Sequence, residues 1–286
     1  ETGTVHGGEQ SMPLLYSNTG GATYSEAERT FAVGQDWTKH GVQTLVLYFH
    51  GTPGNTGQLY VKVNGVEVPY PGDPADIARL LWTQWSIDLA SLGVNLQSVT
   101  TLAVGIDGNG AGGTLYVDDI RLYRSAPPEP AEQIYIEAEA GSITAPMTVR
   151  TDPLASGGSY IGTDDGIGDE NDTAPADGVA TYNFTAQGGV YKILIRVIIT
   201  GGSNSFWLRI PTATSQTHED PDQPGSGWIR FNDISDGADW HWDEVHSNDH
   251  GNAVVNLTLP PGQNTLEIAR REDGTLLDAV VISKID

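Results

Sequence analysis

The chain has 286 residues, of which 37 are acidic and 14 basic, and its formal net charge is −23. This charge excludes nucleic acid and anionic membranes as expected partners, because an acidic surface repels their phosphate groups. The absence of cysteine excludes disulfides and thiolate metal sites. The acidic charge suits either cation binding or simple solubility, and both interpretations stay open.

The first half of the chain shows short strand signals separated by turn residues, and the 35 glycines and 16 prolines favour an all-β fold. Asn64-Gly65 is typical of a tight hairpin turn. A single helical turn is expected near residues 77–81. The predicted strands lie at residues 44–49, 58–63, 84–89, 101–106 and 114–123.

A proline-rich stretch at residues 124–131 interrupts the strand pattern. Three of the four residues at 127–130 are proline, which favours an extended, semi-rigid spacer. Strand signals end just before this stretch and resume just after it. We therefore predict domains at residues 1–123 and 132–286, joined by a linker at 124–131.

The second half of the chain alternates apolar and polar residues with the period of a β-strand. Residues 191–197 carry an apolar residue at every second position, and so do residues 255–259. No long amphipathic helix is evident, and no apolar run approaches the ~20 residues of a membrane span. The whole chain is therefore predicted to be two β-sandwich or jelly-roll domains in tandem.

Three carboxylates are expected to meet in the second domain. Glu137 and Glu139 are two residues apart, so both project from one face of a strand. Asp278 begins an apolar strand that would close the same domain. Carboxylates from the first and last strands repel each other unless a cation lies between them, and Ca²⁺ suits such a cluster of oxygens.

The second domain resembles the calcium-bearing carbohydrate-binding module families numbered six and thirty-five. The resemblance covers most of the domain and implies that Glu137, Glu139 and Asp278 hold a structural Ca²⁺, with backbone carbonyls near Ser156 to Ser159. The alternative is that the two glutamates simply face solvent. The stretches that carry the resemblance are 136–141, 155–161, 189–193, 204–207 and 277–278.

The first domain resembles a galactose-binding-like jelly roll that accompanies bacterial glycosidases. The resemblance lies in residues 5–14, 85–89 and 115–122. It implies that Asp118 or Asp119 helps to hold a structural Ca²⁺. Such domains usually have a further strand before residue 5, so this domain is predicted to lack its first strand.

Candidate ligand contacts lie in the second domain, where sugar recognition would need flat aromatic faces and fixed polar groups. Trp228, Trp240 and Trp242 lie in polar, loop-like surroundings, and the last two share a face if their segment is extended. The alternative is that these indoles cap the core. In the related modules an asparagine at the loop end of the sandwich often bonds sugar hydroxyls, which points to Asn204. Arg271 would bind a polar ligand or pair with its charged neighbours.

Two further stretches are ambiguous. Residues 162–172 form an acidic loop that is either a second Ca²⁺ site or a solvated loop. His246 and His250 have the spacing of a helical metal pair, but the surrounding proline and glycine argue against a helix. We expect these histidines to be solvated or to contact sugar rather than to bind a transition metal.

Catalytic motifs are missing: the sequence contains no Gly-x-Ser-x-Gly, no His-Glu-x-x-His and no phosphate-binding loop. We therefore predict non-catalytic polysaccharide binding by Ca²⁺-stabilised modules of a secreted or cell-surface bacterial protein. A catalytic domain would lie in flanking sequence. The alternatives are a structural or adhesive cell-surface protein and, third, a small glycan lyase or hydrolase.

Overall fold

The chain folds as two compact units, Glu1–Pro130 and Ala131–Asp286. The division falls within the predicted linker 124–131, of which residues 129 and 130 lie outside the described residues. Both units consist almost wholly of antiparallel strands, which confirms the predicted all-β class. The computed structural model describes residues 1–128, 131–214 and 218–286.

The first unit has two four-stranded sheets, with strand orders β1-β8-β3-β6 and β2-β7-β4-β5. These orders are those of a jelly roll, in which two Greek keys enclose one core. Short 3-10 helices lie at Lys39–Gly41, Pro74–Ala78 and Leu89–Leu92. The strands are β1 (Met12–Ser17), β2 (Tyr24–Gln35), β3 (Thr44–His50), β4 (Gln58–Val63), β5 (Val66–Pro69), β6 (Trp82–Asp88), β7 (Val99–Asp107) and β8 (Gly112–Tyr123).

The edge of β8 is covered by β1, while the absence of a further strand before residue 5 stays a prediction. β1 pairs with β8 from Met12 opposite Val117 to Ser17 opposite Gly112. This pairing satisfies the backbone groups along that edge of β8. The predicted hairpin is confirmed, because Asn64 and Gly65 join β4 to β5 with φ angles of 48° and 80°.

The second unit packs a five-stranded sheet, β10-β13-β21-β15-β16, against a seven-stranded sheet. The larger sheet has the order β11-β12-β22-β14-β17. Two further strands extend it, because β9 pairs with β22 and β20 pairs with β14. Strands β18 and β19 form a separate two-stranded sheet. Short 3-10 helices lie at Ala138–Ala140, Ser156–Gly158 and Asn248–His250. The strands are β9 (Gln133–Glu137), β10 (Ser142–Ile143), β11 (Thr148–Thr151), β12 (Ser159–Gly162), β13 (Val179–Ala186), β14 (Gly189–Ile199), β15 (Phe206–Arg209), β16 (Ile229–Phe231), β17 (Gly237–Glu244), β18 (His246–Ser247), β19 (Ala253–Val254), β20 (Asn256–Leu259), β21 (Gly262–Arg270) and β22 (Leu276–Lys284).

The core of the second unit forms where the alternating strands turn one face inward. Tyr191, Ile193 and Val197 of β14 are 0% exposed, as the period-two pattern predicts. Full burial of such a side chain contributes about 1.5–3 kcal/mol. The intervening residues of β14 lie on the outer side of the sheet. None of the described helices is long and apolar enough to cross a membrane.

One glycine of the first unit makes room for a buried tyrosine. Tyr60 is 1% exposed and donates a hydrogen bond from its hydroxyl to Oε2 of Glu26 at 2.8 Å. A Cβ on Gly105 would stand 2.8 Å from the Cβ of Glu26 and would meet the Tyr60 ring even closer. The ring of Tyr60 therefore packs directly on the backbone of Gly105, where any side chain would clash with it.

We expect Gly105→Ala to destabilise the first unit by about 1–3 kcal/mol, because overpacking forces the ring of Tyr60 off its position. Thermal or urea unfolding of the full chain measures this change. Gly112→Ala is the matched control, since its Cβ would find its nearest neighbour at 3.7 Å, an ordinary contact. Equal stabilities of the two variants would contradict this account of Gly105.

Candidate functional site

Trp240 and Trp242 lie on the outer side of the seven-stranded sheet of the second unit. They belong to the edge strand β17, not to a loop as the sequence predicted. Since successive side chains of a strand alternate, both indoles share one face. Trp242 lies directly opposite Arg196 of β14, so the arginine is on the same face. Neither tryptophan is a member of the hydrophobic core cluster.

Trp240 is half-buried among polar and aromatic neighbours. Its Nε1–H donates to Oδ2 of Asp152 at 2.9 Å. The edge of Tyr160 approaches the ring, with centroids 5.2 Å apart and planes at 62°. On this face the guanidinium carbon of Arg196 lies 5.7 Å from the ring centroid. The orientation of the indole is therefore held from three directions.

Trp242 faces an aromatic partner that the sequence analysis did not single out. The ring centroid of Tyr135, in β9, lies 6.4 Å away with the planes at 75°. Tyr135 reaches this face because it lies opposite Val281 on β22. Burial raises the pKa of the Tyr135 phenol, and its hydroxyl donates to Oγ of Ser156 at 2.7 Å. We call the four rings of Tyr135, Tyr160, Trp240 and Trp242 the aromatic face.

The three predicted carboxylates lie beside the aromatic face, on neighbouring segments of the second unit. Glu137 lies opposite Ala279, and thus next to Asp278 on the neighbouring strand. Asp278 is 0% exposed, and its Oδ1 accepts the backbone N–H of Ser156 at 2.9 Å. Its Oδ2 forms an ion pair with the guanidinium of Arg196. Burial raises the pKa of Asp278, and the two donors offset this effect only in part. We call Glu137, Glu139 and Asp278 the carboxylate cluster.

Two observations at the carboxylate cluster fit a bound cation. The Oε2 atom of Glu139 is buried and has no hydrogen-bond partner. Gly157, at φ +62°, leaves open a space that a Cβ would fill, 3.0 Å from Oε1 of Glu139. Burial, and then the charge of Asp278, raise the pKa of Glu139, so a positive charge there would relieve a real cost.

The third predicted cation ligand is engaged elsewhere, because Arg196 neutralises Asp278. Across residues 1–128, 131–214 and 218–286, no three His, Cys, Asp or Glu side chains stand close enough together to hold a metal ion. The acidic loop at 162–172 is instead held by hydrogen bonds, with Gly166 and Gly168 donating to Asp273. A cation at the carboxylate cluster would therefore require Asp278 to exchange its partner.

Asp118 of the first unit anchors the N-terminal segment. Its Oδ2 accepts the backbone N–H groups of His6 and Gly7 at 3.0 and 3.1 Å. Burial raises the pKa of Asp118, but these donors and the N–H of Asp119 outweigh it and lower the pKa overall. The ring of His6 stacks on Tyr48 with centroids 3.7 Å apart. The predicted cation role of Asp118 stays a prediction.

Asn204 and Arg271 meet at one end of the second unit. Glu272 connects them, because its carboxylate accepts the backbone N–H of Asn204 at 2.7 Å and lies 3.4 Å from Arg271. Arg271 is only 7% exposed and donates to Oγ of Ser205 at 2.7 Å. Burial lowers the pKa of the Arg271 guanidinium. Arg271 therefore follows the alternative stated above, pairing within the protein, and its contact with a ligand stays a prediction.

Trp228 is not an exposed platform, so the expectation that its indole lies on the surface is wrong. Its side chain is 7% exposed and packs with Trp207 and Ala269 in a second cluster outside the main core. The guanidinium carbon of Arg209 lies 4.3 Å from its ring centroid. The sequence around Trp228 is polar and glycine-rich, which gave no local sign of this burial.

No protein-family model matches the chain, and no curated protein matches its sequence. The structure is similar over 54% of the chain to the GH26-CBM35 β-(1,4)-mannanase of Podospora anserina, at 15% identity and a TM-score of 0.38. The chain spans only 28% of that mannanase.

The C-terminal CBM6 of LamC, a marine laminarinase from Zobellia galactanivorans, matches 54% of the chain at 15% identity and a TM-score of 0.35. A family 35 carbohydrate-binding module from Clostridium thermocellum matches 54% at 14% identity and 0.37. Both modules are covered over 100% of their length. These two modules belong to the families numbered six and thirty-five.

We expect Trp228→Ala to destabilise the second unit by about 3–5 kcal/mol, because it empties a buried position. Trp242→Ala should cost only about 1 kcal/mol, because its ring lies outside the core. Chemical unfolding followed by circular dichroism measures both changes. Similar losses for the two variants would show that Trp242 is part of the packed interior.

Proposed function

We propose that the second unit is a non-catalytic module that binds polysaccharide on the aromatic face. The observation that supports this function is the presence of two aromatic pairs, Tyr135 with Trp242 and Tyr160 with Trp240, on the outer side of a sheet. Such rings offer flat apolar surfaces to the C–H faces of sugar rings. Asp152 and Arg196 lie beside the same rings and hold the indole of Trp240 in place.

Binding without bond cleavage fits the carboxylates that border the aromatic face. Hydrolysis of a glycoside requires one carboxyl group as acid and a second as base or nucleophile. Asp152 accepts the Trp240 indole N–H at 2.9 Å, and Glu137 accepts the Ser156 hydroxyl at 2.9 Å. Both carboxylates are therefore committed to protein donors. We propose a secreted or cell-surface bacterial protein, with any catalytic domain in flanking sequence.

We also propose that Ca²⁺ stabilises the second unit through Glu137, Glu139 and Asp278. Two observations support this calcium proposal: the buried, unpartnered Oε2 of Glu139 and the space beside Gly157. Calcium prefers six to eight oxygen ligands, and backbone carbonyls near Ser156 would add to the carboxylates.

We expect Trp240→Ala and Trp242→Ala each to weaken polysaccharide binding by about 2 kcal/mol, because central aromatic contacts dominate such surfaces. Isothermal titration of the full chain against a panel of soluble polysaccharides measures this loss. Tyr24→Ala removes an aromatic ring that is 54% exposed in the first unit, and its affinity should match the unmodified chain.

Three results would contradict the polysaccharide-binding proposal. If no polysaccharide binds, the aromatic face has another partner, as in an adhesive or structural protein. Unchanged affinity in both tryptophan variants would move binding away from this face. Release of oligosaccharide products would make the chain an enzyme.

For calcium, we expect chelator to lower the melting temperature of the second unit. A cation that binds only the folded state adds about 3–4 kcal/mol at a hundred to a thousand times Kd. Glu139→Gln should abolish the difference between calcium and chelator, whereas Asp236→Asn, at an exposed position near β17, should preserve it. Identical melting curves with and without chelator in the unmodified chain would refute the calcium proposal.

A further inference from the structure

Three positively charged side chains lie on the outer side of the seven-stranded sheet, among the rings of the aromatic face. Arg150 of β11 stands directly opposite Tyr160 of β12, so both side chains project from the same face. Arg196 of β14 stands opposite Trp242 in the same way, and Lys192 shares its face because the two lie an even number of residues apart on one strand. An anionic ligand on the aromatic face would therefore meet three cations, unless the protein already compensates their charge.

Two of the three cations form ion pairs at the surface. Nζ of Lys192 lies 2.7 Å from Oε1 of Glu244, which follows Trp242 on the same face of β17. Nη2 of Arg150 lies 2.6 Å from Oδ1 of Asp164. The side chains of Lys192 and Glu244 are 35% and 34% exposed, and that of Asp164 is 81% exposed. Both pairs are therefore within reach of a ligand that lies on the aromatic face.

The third cation is compensated at greater depth, and further carboxylates lie beside the rings. Arg196 pairs with Asp278, whose side chain is 0% exposed. Asp152 accepts the indole N–H of Trp240 at 2.9 Å, and Glu137 lies on the strand β9 that carries one of the rings. Five carboxylates thus stand near three cations, in keeping with the formal net charge of −23 for the whole chain. The surroundings of the aromatic face are negative, although the face contains three basic residues.

A cation that already has a counter-charge offers little to an anionic ligand. To bind Lys192 or Arg150, a carboxylate or sulfate group of the ligand must displace the protein carboxylate that is in contact with it. Two like charges then stand side by side, which costs affinity. At low salt the remaining carboxylates also repel the ligand over the screening length, which is about 10 Å at ~0.1 M ionic strength. An uncharged polysaccharide meets neither cost, because it contacts the rings without displacing a charge.

We propose that the Lys192–Glu244 and Arg150–Asp164 pairs are specificity determinants of the aromatic face. By compensating its surface cations, Glu244 and Asp164 restrict the face to uncharged polysaccharides and reject chains that bear carboxylate or sulfate groups. The inference rests on the proposed function, which supplies the binding event, and adds the class of polysaccharide. Specificity here comes from an element that disfavours the wrong ligand, not from an additional contact to the right one. If the total charge of the molecule alone repelled anionic chains, these two pairs would have no special effect.

The first test compares each soluble polysaccharide that binds with its carboxymethylated form, so that the backbone stays the same and only the charge changes. The hydroxyethylated form is the control for the bulk of the substituent. Isothermal titration of the full chain at low salt should give an affinity for the carboxymethylated form that is about tenfold weaker than for the hydroxyethylated form. In about 1 M salt the screening length falls to about 3 Å, and most of this difference should disappear.

Glu244→Gln and Asp164→Asn test the two pairs directly. Each amide keeps the shape of the side chain but releases the cation, Lys192 or Arg150, so the penalty against the carboxymethylated form should fall to about threefold or less. Affinity for the uncharged form should change by no more than about twofold, and both variants should stay folded, because exposed ion pairs contribute little stability. Asp236→Asn is the matched control: it removes the same charge at an exposed position beside β17 and should retain most of the penalty.

The outcomes separate this inference from the proposed function. Equal or tighter binding of the carboxymethylated forms at low salt would overturn the inference and leave the proposed function intact. A penalty that Asp236→Asn relieves as much as Glu244→Gln would also overturn it, because total charge and not the ion pair would then set the preference. If no polysaccharide of any form binds, the proposed function fails and the inference fails with it. A penalty that falls in Glu244→Gln and persists in Asp236→Asn supports the inference.

Discussion

The second unit depends on how it accommodates one buried negative charge, the carboxylate of Asp278. This residue lies at 0% exposure in the closing strand β22, which pairs with β9, β12 and β14. An ionised carboxylate in such a place is stable only when donors and counter-charge surround it. The backbone N–H of Ser156 and the guanidinium of Arg196 meet that requirement, and each of them fixes a further part of the outer face.

The same strands build both the core and the candidate binding surface, because a strand turns alternate residues to opposite sides. In β14, Ile195 and Val197 complete the interior while Arg196 between them faces outward. A shift of β14 by one residue would exchange these roles and bury the arginine. The register that makes the core therefore also places the guanidinium between Asp278 and Trp240.

The strands could be predicted from sequence because their signals are local. Alternation in β14 and the Asn64-Gly65 turn each lie within a few neighbouring residues, and the structure reproduces both. The burial of Trp228 and Arg271 could not be predicted, because it depends on distant segments that pack over them. Arg196 gave no signal either, since a single polar residue in an alternating strand is the ordinary pattern of a solvent-facing position.

The Arg196–Asp278 pair also limits what a cation can do at the carboxylate cluster. A buried ion pair contributes little net stability, because the cost of removing both charges from water offsets most of their attraction. Removing one partner alone is costly, because the other charge is then left uncompensated in the interior. A cation at the carboxylate cluster would therefore have to compensate Asp278 as fully as Arg196 does.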